Sequence, residues 1–220
     1  TATVPKDKMA RTTLRAFLGP VLSEVDVQGL IGEGFLAPPT VTFHGLPEYS
    51  THEHLDKSYM EIYEECIIDN DERNNKIKSI CSKTKNGKIL ILVKNIRHLE
   101  LLKDLIPDSL TLEGKDDLTT RKRTIKSFIE RSHSVLIGTT IMQTGIDIPE
   151  ITHLINARGL KSEIATLQAL GRALRVHKSK REVFIHDFAD QVPYLKEHSS
   201  KRRTAYKSLK IKIQDEKNNN

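Results

Sequence analysis

Short runs of Val, Ile and Leu recur along this chain, separated by stretches whose apolar positions fall three and four residues apart. The runs are KILILV at 88–93, SVLIG at 134–138, ITHLIN at 151–156 and EVFIHD at 182–187. Three of them are nearly continuous in branched aliphatic residues, as strands buried on both faces are. Between the runs, 95–105 sets Ile96, Leu99, Leu102 and Ile106 on one helical stripe and meets Pro107 as a stop. The stretch 118–131 repeats the pattern with Leu118, Ile125, Phe128 and Ile129. Strands and helices alternating in this way predict an α/β fold, a parallel β-sheet with helices on both faces.

The ends of the chain carry different patterns. Turn residues are scattered through 1–39 (Pro5, Gly19, Pro20, Gly32, Gly34, Pro38, Pro39), which fits a linker feeding a first strand at 40–45. Residues 52–85 are mostly helical in pattern, with a strongly acidic front half. From Tyr194 the chain is polar and basic, ends in three asparagines, and is expected to fray. The longest apolar run, 89–93, is far too short to cross a membrane, and no basic segment followed by an apolar one opens the sequence. Cys66 and Cys81 have no CxxC spacing, so neither a disulfide framework nor a metal framework is expected, and a reducing, cytoplasmic setting follows. His52 and His54 would not share a helix face, and the nine histidines show no HExxH spacing.

The net charge of +6 changes this picture only through its placement. Residues 195–220 hold 8 basic and 3 acidic side chains, whereas 1–194 are nearly balanced at 27 against 26. Within the balanced part, 48–72 carries 9 acidic residues against Lys57 alone, and 161–181 carries 6 basic residues against Glu163 alone.

Two segments carry candidate chemistry. The stretch 138–149 (GTTIMQTGIDIP) follows an expected buried strand directly and so emerges at the strand's carboxyl end, where open α/β sheets bind ligands. Its hydroxyls and glycines allow close approach to phosphates, and Asp147 could accept from a ribose; a hydroxyl-rich loop with an Asp capping the next turn fits the same residues. The second, 168–175 (QALGRALR), lies in an expected helix from about Ser162. Ile164, Leu167, Leu170 and Leu174 would face the sheet there, with Gln168, Arg172 and Arg175 together on the adjacent arc. Two like charges side by side call for an anion between them, unless the arc is an ordinary solvated basic face. Gly171 weakens the helix by about 1 kcal/mol relative to Ala, which suggests a close approach to its backbone.

At this order and spacing the two segments resemble motifs V and VI, the latter in its QxxGRxxR form, of the second RecA-like domain of superfamily 2 helicases. Residues 90–95 and the helix after them resemble motif IV. Leu112-Glu113-Gly114 followed by Arg121 and Phe128 is similar to motif IVa, and Thr1-Ala2-Thr3 to motif III. The resemblance covers roughly 1–190 and is nearest to the phage UvsW-type and RecG-like DNA branch-migration helicases. It implies a RecA-like, P-loop NTPase-like sheet, with the end of a first motor domain and a linker at 1–39. The second RecA-like domain would occupy 40–193, and a basic tail 194–220. It also implies ATP and Mg2+ as cofactors, with the Mg2+ ligands in the first domain.

The resemblance further implies residue roles. Arg175 would be the arginine finger on the γ-phosphate, Arg172 a phosphate contact or link to motif V, and Gln168 an orienting residue. Gly145 and Asp147 would meet the nucleotide ribose. Lys94, Arg97, Gly114, Arg121, Thr139 and Thr140 would meet the nucleic-acid backbone, and the partners would be branched or junction DNA and the first RecA-like domain. A role in DNA recombination and repair would follow. No Gly-x-x-x-x-Gly-Lys-Ser/Thr and no strand-terminal acidic box occur. The expectation is therefore the carboxyl-terminal half of a longer ATP-dependent DNA helicase, inactive in ATP hydrolysis alone. An RNA helicase domain and a non-catalytic RecA-like binding module are the alternatives.

Overall fold

Alternation of buried aliphatic runs with capped amphipathic helices produces one layered sheet. The computed structural model describes residues 7–22, 26–46, 56–139 and 148–216, apart from the side chain of Ile164. Thr1 to Thr3, Thr140, Gly145 and Asp147 lie outside the described residues. The elements are α1 (Lys8–Leu18), α2 (Val27–Gly32), β1 (Pro39–Gly45), α3 (Tyr59–Tyr63) continuing into one π-helical turn (Glu64–Ile68), α4 (Asp71–Lys83) and β2 (Gly87–Leu92). There follow α5 (Ile96–Leu105), β3 (Leu110–Leu112), α6 (Leu118–Glu130), β4 (His133–Gly138), β5 (His153–Asn156), α7 (Glu163–Ala173), β6 (Val183–Ala189), α8 (Leu195–Ser208) and β7 (Lys212–Glu216). The seven strands are all parallel, in the order β3-β4-β2-β5-β6-β1-β7.

Helix starts are set by short polar side chains that satisfy otherwise orphaned backbone N–H groups. Asn95 accepts from His98 N at 3.0 Å, Asp117 from Thr120 N at 2.6 Å and Ser162 from Ala165 N at 3.2 Å. Alternate strand residues then feed two cores. Leu90, Leu92, Leu136, Leu154, Val183 and Ile185 pack against α6 and α7, while Ile89, Ile91, Val135, Ile137 and Ile155 pack against α4 and α5. The helices that follow β2 and β5, neighbours in the sheet, thus leave on opposite faces. That makes the carboxyl ends of these two strands the topological switch point, where open α/β sheets form their ligand crevice.

Several expectations are corrected. The lead-in is not merely a linker: α1 and α2 are helical, and Gln28 of α2 donates to Leu209 O at 2.8 Å. The basic end does not fray over 195–216. Leu195, Ala205 and Tyr206 of α8 are buried, and β7 extends the sheet beside β1. Its polarity is deceptive because an edge strand and one helix face need few apolar residues. Leu118 and Ile96, placed by periodicity on core stripes, are exposed at the first turns of α6 and α5. The three-residue edge strand β3 carries too short a pattern to read from sequence.

The carboxyl end of β6 is held by a buried ionic network rather than by apolar packing. Arg202 of α8 is fully buried; its Nε lies 3.0 and 3.1 Å from the two Asp187 oxygens, and its other nitrogens reach Leu160 O and Phe188 O. Asp187 also accepts from Tyr206 Oη at 3.0 Å and Asn156 Nδ2 at 3.1 Å. Asp190 joins through Arg202 and through buried Arg73 of α4, whose guanidinium lies 4.1 Å from the Phe188 ring centre. Removing one partner strands the others without compensation, which is where buried ion pairs become costly. Arg202→Met is expected to lower unfolding stability by about 3 kcal/mol in urea denaturation. Lys126→Ala, which breaks an exposed pair with Glu130, should leave the midpoint in place. Equal midpoints for the two variants would refute the pivotal role of Arg202.

Candidate functional site at the carboxyl edge of the sheet

Motif VI residues occupy the end of α7 and the turn beyond it. Leu170, Ala173 and Leu174 are buried against the sheet, with Leu167 packed beside them, as the periodicity predicts. Gln168 is exposed and Arg172 partly buried within the helix. Arg175, however, lies past the helix end, so the three do not share one helical arc as expected. Its backbone instead forms an antiparallel bridge with Leu36, and Ala37 N donates to Leu174 O at 2.8 Å. The buried Lys180 ammonium donates to Ala173 O at 2.8 Å, capping the helix where its carbonyls run out of partners. A Cβ at Gly171 would meet nothing within 4 Å. Among the described residues, none makes the expected close approach to that glycine.

The other expected positions divide by their partners. Lys94, just past β2, is exposed, and its ammonium lies over the rings of Tyr63 (4.4 Å to the centroid) and Tyr59 (5.5 Å). Arg97 pairs with Asp69 at 2.7 Å, both groups being solvent-exposed. Arg121 donates to the carbonyls of Asp116 (2.9 Å) and Gly114 (2.7 Å), closing the 113–116 loop around an exposed Gly114. Thr139 follows β4 and is tied by its backbone N–H to Leu112 O.

Sequence reasoning missed the lid of this edge. Tyr59, Ile62, Tyr63, Cys66, Ile67 and Ile68 form a third apolar cluster with Val192 and Leu195, over the ends of β5 and β6. Gly159 has φ +63°, and a Cβ there would stand 2.7 Å from Ile67 Cδ1, so the turn after β5 demands glycine. Burial pushes the Cys66 thiol up to about 11, so this buried cysteine stays protonated near neutrality. The acidic run had masked these inward residues, because Glu61, Glu64 and Glu65 occupy the outward positions between them.

Residues 72–177 match the family described as "Helicase conserved C-terminal domain". Residues 72–177 are thus similar to a helicase C-terminal domain. Over 182 residues, 78% of the chain, it is 26% identical to the ATP-dependent DNA helicase uvsW of Enterobacteria phage T4, and it spans 36% of that protein. Over 95 residues, 41% of the chain, it is 30% identical to the pre-mRNA-splicing ATP-dependent RNA helicase PRP28 of Pyricularia oryzae, spanning 14% of it. The chain thus covers well under half the length of these relatives. The crystal structure of T4 UvsW superimposes with TM-score 0.65 at 22% identity, covering 82% of this chain and 41% of that one. The C-terminal domain of the DEAD-box protein Dbp5 superimposes with TM-score 0.59 at 15% identity, covering 84% and 92%. The RecA-like fold is shared by both. These relatives are named for DNA and for RNA alike.

Arg172 lies in the last turn of α7 and Arg175 just beyond it, partly buried and exposed respectively. Among the described residues no group of three His, Cys, Asp or Glu side chains could hold a metal ion. Nor, among them, is any helix long and apolar enough to cross a membrane.

Proposed function

We propose that the domain is the carboxyl-terminal motor half of an ATP-dependent DNA helicase or translocase, which couples ATP turnover to unwinding or branch migration. What supports this reading is the QxxGRxxR pattern at 168–175, whose last arginine sits where its backbone bridges Leu36 just past α7. ATP would be held in a cleft between this domain and a first RecA-like domain that supplies the phosphate loop and the Mg2+ ligands. Here Arg175 would reach the γ-phosphate, Arg172 would hold phosphate, and Gln168 would orient the site. Gly145 and Asp147 would meet the ribose. Lys94, Thr139 and Thr140 would contact the nucleic-acid backbone without reading sequence. Arg97 would exchange Asp69 for phosphate, and Arg121 would shape the loop that presents Gly114.

DNA is favoured because the likeness to a phage DNA helicase runs through most of the chain, whereas the likeness to the splicing helicase is confined to a shorter stretch. An RNA substrate is the second reading, supported by the higher identity within that stretch. ATPase of the full-length protein containing this chain, compared with forked DNA, duplex DNA and RNA, separates them. Forked DNA is expected to stimulate most. Stimulation by RNA alone would replace the first reading with the second.

A further inference from the structure

We infer that Arg158 is a phosphate-binding residue at the switch-point crevice between β2 and β5, an inference that rests on the nucleotide- and nucleic-acid-handling reading above. Its mounting is unusually rigid for a surface-edge arginine. Arg158 Nε donates to Asn156 Oδ1 at 3.0 Å, and Asn156 is itself fixed on Asp187. The backbone around it is pinned by three side chains: Tyr63 Oη donates to Arg158 O at 2.7 Å, His198 Nδ1 to Gly159 O at 3.0 Å, and Arg202 to Leu160 O at 2.9 Å. Such layered support places a group to the tolerance that recognition needs.

Yet among the described residues the guanidinium forms no ion pair. Its one side-chain partner among the described residues is neutral Asn156, and the nearby Asp187 is already engaged by Arg202, Tyr206 and Asn156. Burial above all, with the charge of Arg202 adding and Tyr206 and Asp187 opposing, pulls the Arg158 guanidinium below the usual arginine range. A partly desolvated cation held in place without an anion costs stability, and the cost persists where a ligand supplies the missing charge. The crevice favours phosphate specifically. Lys94 stands across it at the end of β2, its ammonium over the same Tyr63 that grips Arg158, and among the described residues it too has no carboxylate partner. Arginine matches phosphate oxygens bidentately, and paired cations on the two lips of a switch point suit either a nucleotide phosphate or the nucleic-acid backbone.

The test uses the full-length protein containing this chain, with labelled oligothymidylate, read by anisotropy over a salt series, and with ADP, read by calorimetry. Arg158→Gln is expected to weaken one of these about tenfold. If the source is nucleic acid, the salt slope should also fall by about one. Arg158→Lys should retain part of the effect. Loss confined to oligothymidylate identifies a backbone site, and loss confined to ADP a nucleotide site. Melting temperature is the structural control: Arg158→Gln should leave it unchanged or raised, because an uncompensated charge is removed. A lowered melting temperature with both ligands bound as tightly as by wild type would overturn the assignment. So would unchanged binding by Arg158→Gln when Lys94→Gln weakens it, a result that leaves the broader functional reading standing. Wild-type full-length protein containing this chain binding neither ligand would defeat both.

Discussion

Acidification from about pH 7 to about pH 5 is expected to remove about 4 kcal/mol of folding stability, enough to bring a domain of ordinary stability close to its unfolding transition. The cause is a ladder of neutral imidazoles across the sheet. His44 Nδ1 bonds to Glu216 of β7, His44 Nε2 lies 3.0 Å from His186 Nδ1, and His186 Nε2 lies 3.2 Å from His153 Nδ1. One arrangement satisfies every link: each ring donates its Nδ1–H toward Glu216 and accepts at Nε2. Protonating His186 would set a second N–H against the Nδ1–H of His153 and break the series. Burial lowers His186 to about 3 and His153 to about 4, and it lowers His98, enclosed beneath α5, to about 3. His44 is also lowered by burial, which outweighs the opposing pull of Glu216. These rings bind protons near 6.5 when unfolded and below that when folded, so the unfolded state takes up more protons in acid. Their contribution is full above about 6.5 and is lost as pH falls toward the folded values. The figure is reduced from the ideal sum because His153 and His186 are partly exposed. Urea denaturation across this range should give an average slope of about 1.5 protons, and His186→Phe should reduce it by about half a proton. A slope below one proton would mean that the rings are not held neutral.

The ladder also shows how much the sequence disclosed. Strands β2, β4, β5 and β6 and helices α5, α6 and α7 were legible because local patterning and tertiary packing ask for the same residues there. The QxxGRxxR spacing at 168–175 stood out for a different reason: it is a short local pattern that one sequence displays without the fold. His44, His153 and His186 gave no signal, since three residues from three strands become neighbours only through register, and register is set by the whole sheet. Arg202 reads as one more cation in a basic helix; only the position of α8 against β6 turns it inward onto Asp187. Arg158 is similar, lying in a stretch whose apolar neighbours drew attention to the strand and not to its end. Polar residues that serve the interior look the same, in sequence, as polar residues that serve solvent.

When this domain acts with its first RecA-like partner, Arg175→Ala is expected to lower kcat for ATP hydrolysis about a thousandfold while changing DNA affinity little. The size of the effect follows from what a finger does: it meets charge that develops on the transferring phosphoryl group, so its loss appears in kcat and not in ground-state binding. The mount supports that role. Arg175 leaves α7 just beyond a terminus capped by Lys180, and its backbone is bridged to Leu36 in the lead-in segment. A backbone fixed on both sides leaves only the side chain to be ordered when the cleft closes. Arg175→Lys should rescue poorly, because an ammonium cannot reproduce the planar donor fork. Single-turnover ATPase on forked DNA measures this directly, and hydrolysis within a few-fold of wild type would sink the assignment. The bridge adds a mechanical consequence. Leu36 lies on the segment that would run to the first domain, so rotation between the domains would move Leu36 and Arg175 as one piece. Closure of the cleft and delivery of the finger would then be the same motion.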